Sequence, residues 1–267
     1  MKLGATSFIN SNMPVVEFLS ILVAQGLQYV ELKCDWRACD PEALEPRTMR
    51  EWDELLHSYA LHPSLHACYI DLNLASMSEL VRTVSVKRVT KCIQFATEIG
   101  ASYVTIHPGK FSRDHPRSLF PRAYDRAVAS IKELARVCDK QNVMLALENA
   151  PNGTDRGVLI DPEMMKACLD SVDSRMVRIL LDLGHAHTHG MDPMAFLRSL
   201  APYVCAFHIH NNDGRSDSHN PLSEGKMNYP SLLKAIASTH AHCPIHIEMH
   251  KLEDLISSRE YLRRYGI

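Results

Sequence analysis

Short apolar runs rich in β-branched residues alternate along this chain with longer stretches in which apolar residues recur every three or four positions. The first kind comprises KLGATSFI (2–9), LQYVELK (27–33), SLHACYI (64–70), SYVTIH (102–107), VMLALE (143–148), RILLDL (178–183), VCAFHIH (204–210) and PIHIEM (244–249). Such runs suit a buried, pleated surface and predict strands. The helical period predicts helices over 14–26, near 47–60, and over about 77–99, 121–141, 161–171, 193–200, 230–239 and 252–264. Gly26 and Gly100 stand where the first and third of these should end, a position that favours glycine.

A strand followed by a helix, repeated eight times, predicts parallel strands joined by crossover helices. The sheet could be open and doubly wound, but no G-x-G-x-x-G turn follows the first strand. Eight units favour closure. The expectation is an α/β fold, a (β/α)8 TIM barrel forming a single domain over residues 1–267.

Composition adds bounds. Hydrophobic residues make up 46% and charged residues 22%, which fits a globule with a sizeable core. A formal net charge of -2 gives no global basic field to attract nucleic acid. The eight cysteines are scattered without a C-x-x-C pair and read as buried thiols of a reducing compartment. No apolar h-region opens the chain and no run is long enough to cross a membrane, so a cytoplasmic protein is expected.

Chemistry-bearing residues recur at the ends of the strand-like runs: His66, His107, Glu148, Asp182 with His185, His208, Asp217 with His219, and Glu248. In a closed parallel barrel all C-terminal strand ends meet at one mouth, so groups far apart in sequence converge there. Glu148, Asp182 and Glu248 would repel one another without a cation. Imidazoles among carboxylates point to zinc, manganese or iron rather than calcium. His208 and His210 share a strand face, so spacing leaves open which of them binds metal. His246 falls on the Glu248 face one layer deeper, as a supporting or core residue.

With these positions in place, the chain resembles the xylose isomerase-like TIM barrels, and among them the endonuclease IV branch (AP endonuclease family 2), over roughly residues 60–250. That branch builds a trinuclear zinc site from ligands in the order His, His, Glu, Asp, His, His, Asp, His, Glu. The matching positions are His66 in LHACYI, His107 in IHPG, Glu148 in LEN, Asp182 and His185 in LDLGH, His208 in FHIH, Asp217 and His219 in DSHNPLSEG, and Glu248 in IEM. The resemblance therefore implies two to three zinc ions, with manganese or iron as alternatives, and Glu148 as the bridging carboxylate. It also selects His208 over His210 as ligand. His210 then joins Tyr69, Lys110 and Arg215 as expected substrate contacts.

Around these ligands the chain departs from the nuclease pattern. His66 and Tyr69 match its H-x-x-Y, but Ile70-Asp71-Leu72-Asn73 follows. Leu183-Gly184 replaces a Thr-Cys-like pair, and Asp217-Ser218-His219 replaces D-R-H. Clustered cations suit hydrolysis of a phosphoester by metal-bound hydroxide, with Glu148 and Glu248 as catalytic carboxylates, and this is the first expectation. The alternative is a metal-dependent sugar or sugar-phosphate isomerase or epimerase. Its family pattern implies a single ion on Glu148, Asp182, His208 and Glu248, with the two glutamates moving a proton. A small phosphorylated or carbohydrate substrate is expected ahead of DNA. The oligomeric state is not legible.

Overall fold

The computed structural model describes residues 1–9, 13–35 and 39–267. Its first half runs β1 (Leu3–Thr6), α1 (Val15–Ala24), β2 (Tyr29–Lys33), α2 (Pro46–Ser58), β3 (His62–His66), α3 (Glu79–Glu98), β4 (Tyr103–Ile106), β5 (Lys110–Phe111) and α4 (Phe120–Gln141). The second half runs β6 (Met144–Glu148), β7 (Arg156–Gly157), α5 (Pro162–Val172), β8 (Val177–Asp182), α6 (Leu183–Thr188), α7 (Pro193–Leu200), β9 (Val204–Ile209), α8 (Tyr229–His240), β10 (Ile245–Ile247) and α9 (Leu252–Arg263). Around the barrel the strands lie in the order β1, β10, β9, β8, β6, β4, β3, β2, and β1 pairs in parallel with both β2 and β10. Closure leaves no strand edge open, and the expected (β/α)8 barrel is the observed fold.

Helix ends follow their local chemistry. Asp161, Asp192 and Asn228 accept backbone N–H groups at the starts of α5, α7 and α8, each followed by proline in the first turn. Two segments differ from the sequence reading. The strand predicted over 64–70 stops at His66, because Asp35 takes the N–H groups of Tyr69 and Ile70 and Asp71 turns into the left-handed region. Leu183, predicted to lie in a strand, opens α6, because the Asp182 side chain caps that helix by accepting from His185 N at 2.7 Å. The antiparallel pair β5 and β7 is an addition: two residues on each side carry no readable period.

Most apolar side chains lie between the strands and the helix ring, among them Phe18, Leu22, Leu32, Val104, Ile131, Leu145, Ile179 and Phe196. The barrel interior is smaller. Tyr103, Ala146, Leu180 and Ala206 pack together as a layer within it. Side chains alternate along a strand, so the next inward positions toward the mouth are Thr105, Glu148, Asp182 and His208. All four are buried, as are Glu31, His246 and Glu248. An apolar plug thus carries a polar layer directly above it.

Candidate metal centre

Four sets of donor atoms crowd the C-terminal mouth among the described residues. They are His66, His107 and Glu148; Glu148, Asp182, His208 and Glu248; His185, His210, Asp217 and His219; and, deeper, Glu31, His208 and His246. The strand ends supply His66, Glu148 and Asp182, while His185 rides on α6, one turn beyond its cap. Asp217 and His219 come from the loop after β9, where His219 has a φ of +47°. All nine residues assigned as ligands by resemblance therefore enter these sets.

Glu148 is the hub. Its Oε2 lies 2.9 Å from His107 Nε2 and 3.4 Å from His66 Nε2; its Oε1 lies 3.1 Å from His208 Nδ1 and 3.6 Å from His185 Nδ1. Glu248 approaches the same His208 nitrogen, with Oε2 at 3.1 Å. Asp217 Oδ2 lies 3.3 Å from His185 Nε2 and 3.4 Å from His219 Nε2.

Three imidazoles are tethered in the same way. His66 Nδ1 faces the carbonyl oxygen of Ala67 at 3.1 Å, His185 Nδ1 that of Asn149 at 2.7 Å, and His219 Nδ1 that of Glu248 at 3.3 Å. A carbonyl only accepts, so each Nδ1 carries its proton, and in the neutral ring each Nε2 is a lone pair aimed at a carboxylate. Two such acceptors stay together only with a positive charge between them, either a proton on Nε2, which the carboxylates favour, or a metal cation that takes its place. Metal-binding histidines are held in this manner, with the far nitrogen anchored by an outer acceptor. Asn149 braces the arrangement further, since its side chain donates to Asp182 O and accepts from Asp182 N.

The two histidines of the FHIH segment differ sharply. His208 has both nitrogens engaged: Nε2 lies 2.8 Å from Glu31 Oε1, and Nδ1 sits between Glu148 and Glu248. His210 is equally buried, yet neither ring nitrogen has a hydrogen-bond partner, and its Nε2 lies 3.3 Å from both Asp182 Oδ1 and Asp217 Oδ1. Asp182 Oδ2, Asp217 Oδ1 and Glu248 Oε2 are likewise buried without a hydrogen bond, although imidazole nitrogens lie 3.1 Å from Glu248 Oε2 and 3.3 Å from Asp217 Oδ1. Orphaned polar atoms of both kinds, converging on one place, are what a divalent cation would satisfy. The donor set fits zinc, manganese or iron.

Charge shows the same demand. Burial disfavours a charged imidazole, but Glu31, Glu248 and Glu148 outweigh it and hold His208 well above the usual histidine range. His185 is raised for the same reason, with burial opposed by Asp182 and Asp217. His219 rises to about 9 against its burial through Asp217 and Glu248. Glu148 is held well below the carboxylate range despite burial, chiefly by His107 and His208. His246, one layer down, is pushed to about 4 by burial and stays neutral, in contact with Tyr103 Oη at 3.3 Å.

The expected substrate contacts scatter. Tyr69 stacks on His107 with ring centroids 4.1 Å apart and accepts from Lys33 Nζ at 3.0 Å, so it forms a fixed wall of the mouth. Lys110 stands exposed on β5, and Arg215 is exposed on a turn closed by Asp213. Neither brings its charge into the donor sets. Three participants escaped the sequence reading. Glu31 accepts from Thr105 and supports His208, and its YVELK context signals only a strand. Lys33 lies buried over the Phe8 ring, 3.8 Å from its centroid. Gly184 lies flat against the His210 ring, where a Cβ would fall 2.2 Å from Cε1. The departure Leu183-Gly184 was its visible trace.

The family model described as xylose isomerase-like TIM barrel matches residues 19–265. An uncharacterized protein of Methanocaldococcus jannaschii is 28% identical over 99% of this chain and 89% of its own length. The crystal structure of a D-tagatose 3-epimerase-like protein superposes with a TM-score of 0.88 at 26% identity, covering 100% of this chain and 97% of that one. D-psicose 3-epimerase from Clostridium cellulolyticum H10, solved with D-tagatose, has a TM-score of 0.82 at 12% identity, over 100% of this chain and 98% of that one. These two structures carry epimerase names and neither is named as a nuclease, so the first expectation, phosphoester hydrolysis, finds no support. No helix among the described residues is long and apolar enough to cross a membrane.

Proposed function

Since the chain belongs to the xylose isomerase-like TIM barrel family, we propose that it is a divalent-metal-dependent sugar epimerase or isomerase. Its reaction would move a proton at a carbon next to the carbonyl of a small ketose. The observation that carries this reading is the pair Glu148 and Glu248, which approach the same His208 nitrogen from the ends of strands three places apart around the barrel, with a buried Glu248 oxygen that makes no hydrogen bond. The names of the epimerases of like fold support it.

Glu148, Asp182 and Glu248 would hold the cation together with an imidazole of the FHIH segment. The resemblance assigns that place to His208 and a substrate contact to His210. The geometry favours the exchange, because His210 alone of the two has ring nitrogens without hydrogen bonds, with Nε2 3.3 Å from Asp182 and Asp217. When bound there, a divalent ion would polarise the ketose carbonyl and acidify the neighbouring C–H. One glutamate would then take the proton from that carbon and the other return a proton to its opposite face, which inverts the centre. His185, with Nδ1 tied to Asn149 O, would present Nε2 to a substrate hydroxyl. Tyr69 and His107, stacked at the mouth, would exclude water from one side of the sugar.

The test is solvent exchange. Metal-loaded protein incubated with D-tagatose, D-psicose and D-fructose in heavy water should introduce deuterium beside the carbonyl, read by proton NMR, together with the epimer or isomer. Glu148→Gln should slow this by about 10²–10⁴-fold, the usual weight of a general base. Cleavage of a phosphodiester with no exchange into any of these sugars would overturn the proposal.

A further inference from the structure

Next to the donor sets a cavity of about 280 Å³ extends from the mouth toward α3. Tyr69, His107 and Asp217 line it on the side of the donor atoms, so it is continuous with the candidate site. Leu72, Leu74, Val89, Ile106, Pro108 and Pro151 supply much of the remaining wall. Gly109, Lys110 and Gly157, at the β5–β7 pair, also border it.

That covering is braced rather than loosely draped. Asn73 Oδ1 accepts from Lys110 N and Ala75 N, both at 3.0 Å, while its Nδ2 donates to Lys110 O at 2.8 Å. Gly109, at φ +115°, passes so close that a Cβ would fall 2.6 Å from Ala75 N. Three polar side chains toward α3 are committed, whereas Asp155, which accepts from Arg113 N, and the exposed Lys110 border the cavity on the side of the β5–β7 pair. Asn73 is spent on the covering strand, Ser85 Oγ donates to Val81 O and accepts from Asn73 N, and Cys68 Sγ donates to Cys34 O. A hydroxyl-bearing carbon chain pressed against Leu72, Leu74, Val89 and Ile106 would leave water for a part of the wall that offers it little in exchange. An apolar group would lose nothing.

We propose that the natural substrate carries an apolar, ring-sized substituent that sits in this cavity while its sugar part lies over the donor sets. It would be an aryl or branched-alkyl glycoside of a keto sugar rather than a free monosaccharide. This inference rests on the epimerase reading for the identity of the sugar part, and on the cavity for the rest. The Tyr69–His107 stack at the rim supplies an aromatic edge against which such a ring packs.

Calorimetric titration of the metal-loaded protein with methyl and phenyl 3-keto-β-D-glucopyranoside tests it, since the two share the sugar and differ only in the aglycone. The phenyl compound should bind with a Kd at least tenfold lower. Leu72→Trp, which fills the cavity from a partly exposed wall position, should bring the two Kd values within twofold by weakening the phenyl compound alone. Val89→Phe fills the same space from α3 and serves as the second variant. Equal Kd values in the unmodified chain, no measurable binding of either compound, or a phenyl preference that survives both fillings would overturn the inference. Turnover is read separately by deuterium exchange: a phenyl preference without exchange upholds the cavity assignment and defeats only the catalytic reading.

Discussion

Two histidines of one segment, His208 and His210, occupy the same strand face and are both fully buried, yet their surroundings assign them different work. His208 bridges three carboxylates, and removing its ring leaves Glu31 as a buried charge without its partner. Breaking a buried pair in this way costs about 3–5 kcal/mol. His210 makes no hydrogen bond that its loss would break, though Asp182 and Asp217 lie 3.3 Å from its Nε2, and its nitrogens are the orphans that a cation would satisfy. The expected outcome is a crossed pattern. His210→Gln should weaken metal binding at least a hundredfold with little change in metal-free stability. His208→Gln should lower stability by several kcal/mol while changing metal affinity less than tenfold. Metal titration and denaturant unfolding on both variants check this, and the reverse pattern would restore the ligand role to His208. Residue spacing in FHIH could not separate the two, because period two gives them one face and says nothing about which neighbour each meets.

Among the elements, α6 shows how a short helix sets the site. Asp182 ends β8 and caps α6 through Oδ1, which turns the chain so that His185 comes back over the mouth and leaves Oδ2 free. The helix can lie this close to β9 because Gly184 has no side chain where the His210 ring sits. Gly184→Ala should therefore push His210 out of place, with overpacking costing about 1–3 kcal/mol and metal affinity falling at least tenfold. Circular dichroism should still report an intact barrel, since the apolar core between strands and helices is untouched. Unchanged metal affinity in this variant would mean that His210 is not held by α6. The eight strands and eight longer helices were legible from their periods. The six-residue α6 and the two-residue strands β5 and β7 were not, because elements so short carry less than one repeat of any pattern and owe their shape to the cap at Asp182 and to the bracing by Asn73.

At the scale of the whole molecule, stability and the candidate site are stacked but separable: apolar layers form the barrel and its outer packing, and the titratable layer lies above Tyr103, Ala146, Leu180 and Ala206. Without a metal, carboxylates at the mouth are balanced by raised imidazoles such as His208, His185 and His219. A bound divalent ion should hence add stability without being required for folding. At a hundred times its Kd it should contribute about 2.7 kcal/mol, and a chelator should lower Tm by several degrees while unfolding stays cooperative. Scanning calorimetry with and without chelator decides this; a chain that unfolds outright on chelation would make the metal structural. The sequence by itself determined the closed barrel and the strand-end location of most of the donors, because strand and helix periods and the convergence of parallel strand ends are properties of local pattern and topology. Tertiary structure alone decided that Glu31 stands behind His208, that both ring nitrogens of His210 lack hydrogen bonds, that Lys110 and Arg215 lie outside the donor sets, and that a largely apolar cavity opens beside those sets. Those facts depend on side chains from different strands and loops meeting in space, and burial and hydrogen-bond partners are set by such encounters rather than by any period along the chain.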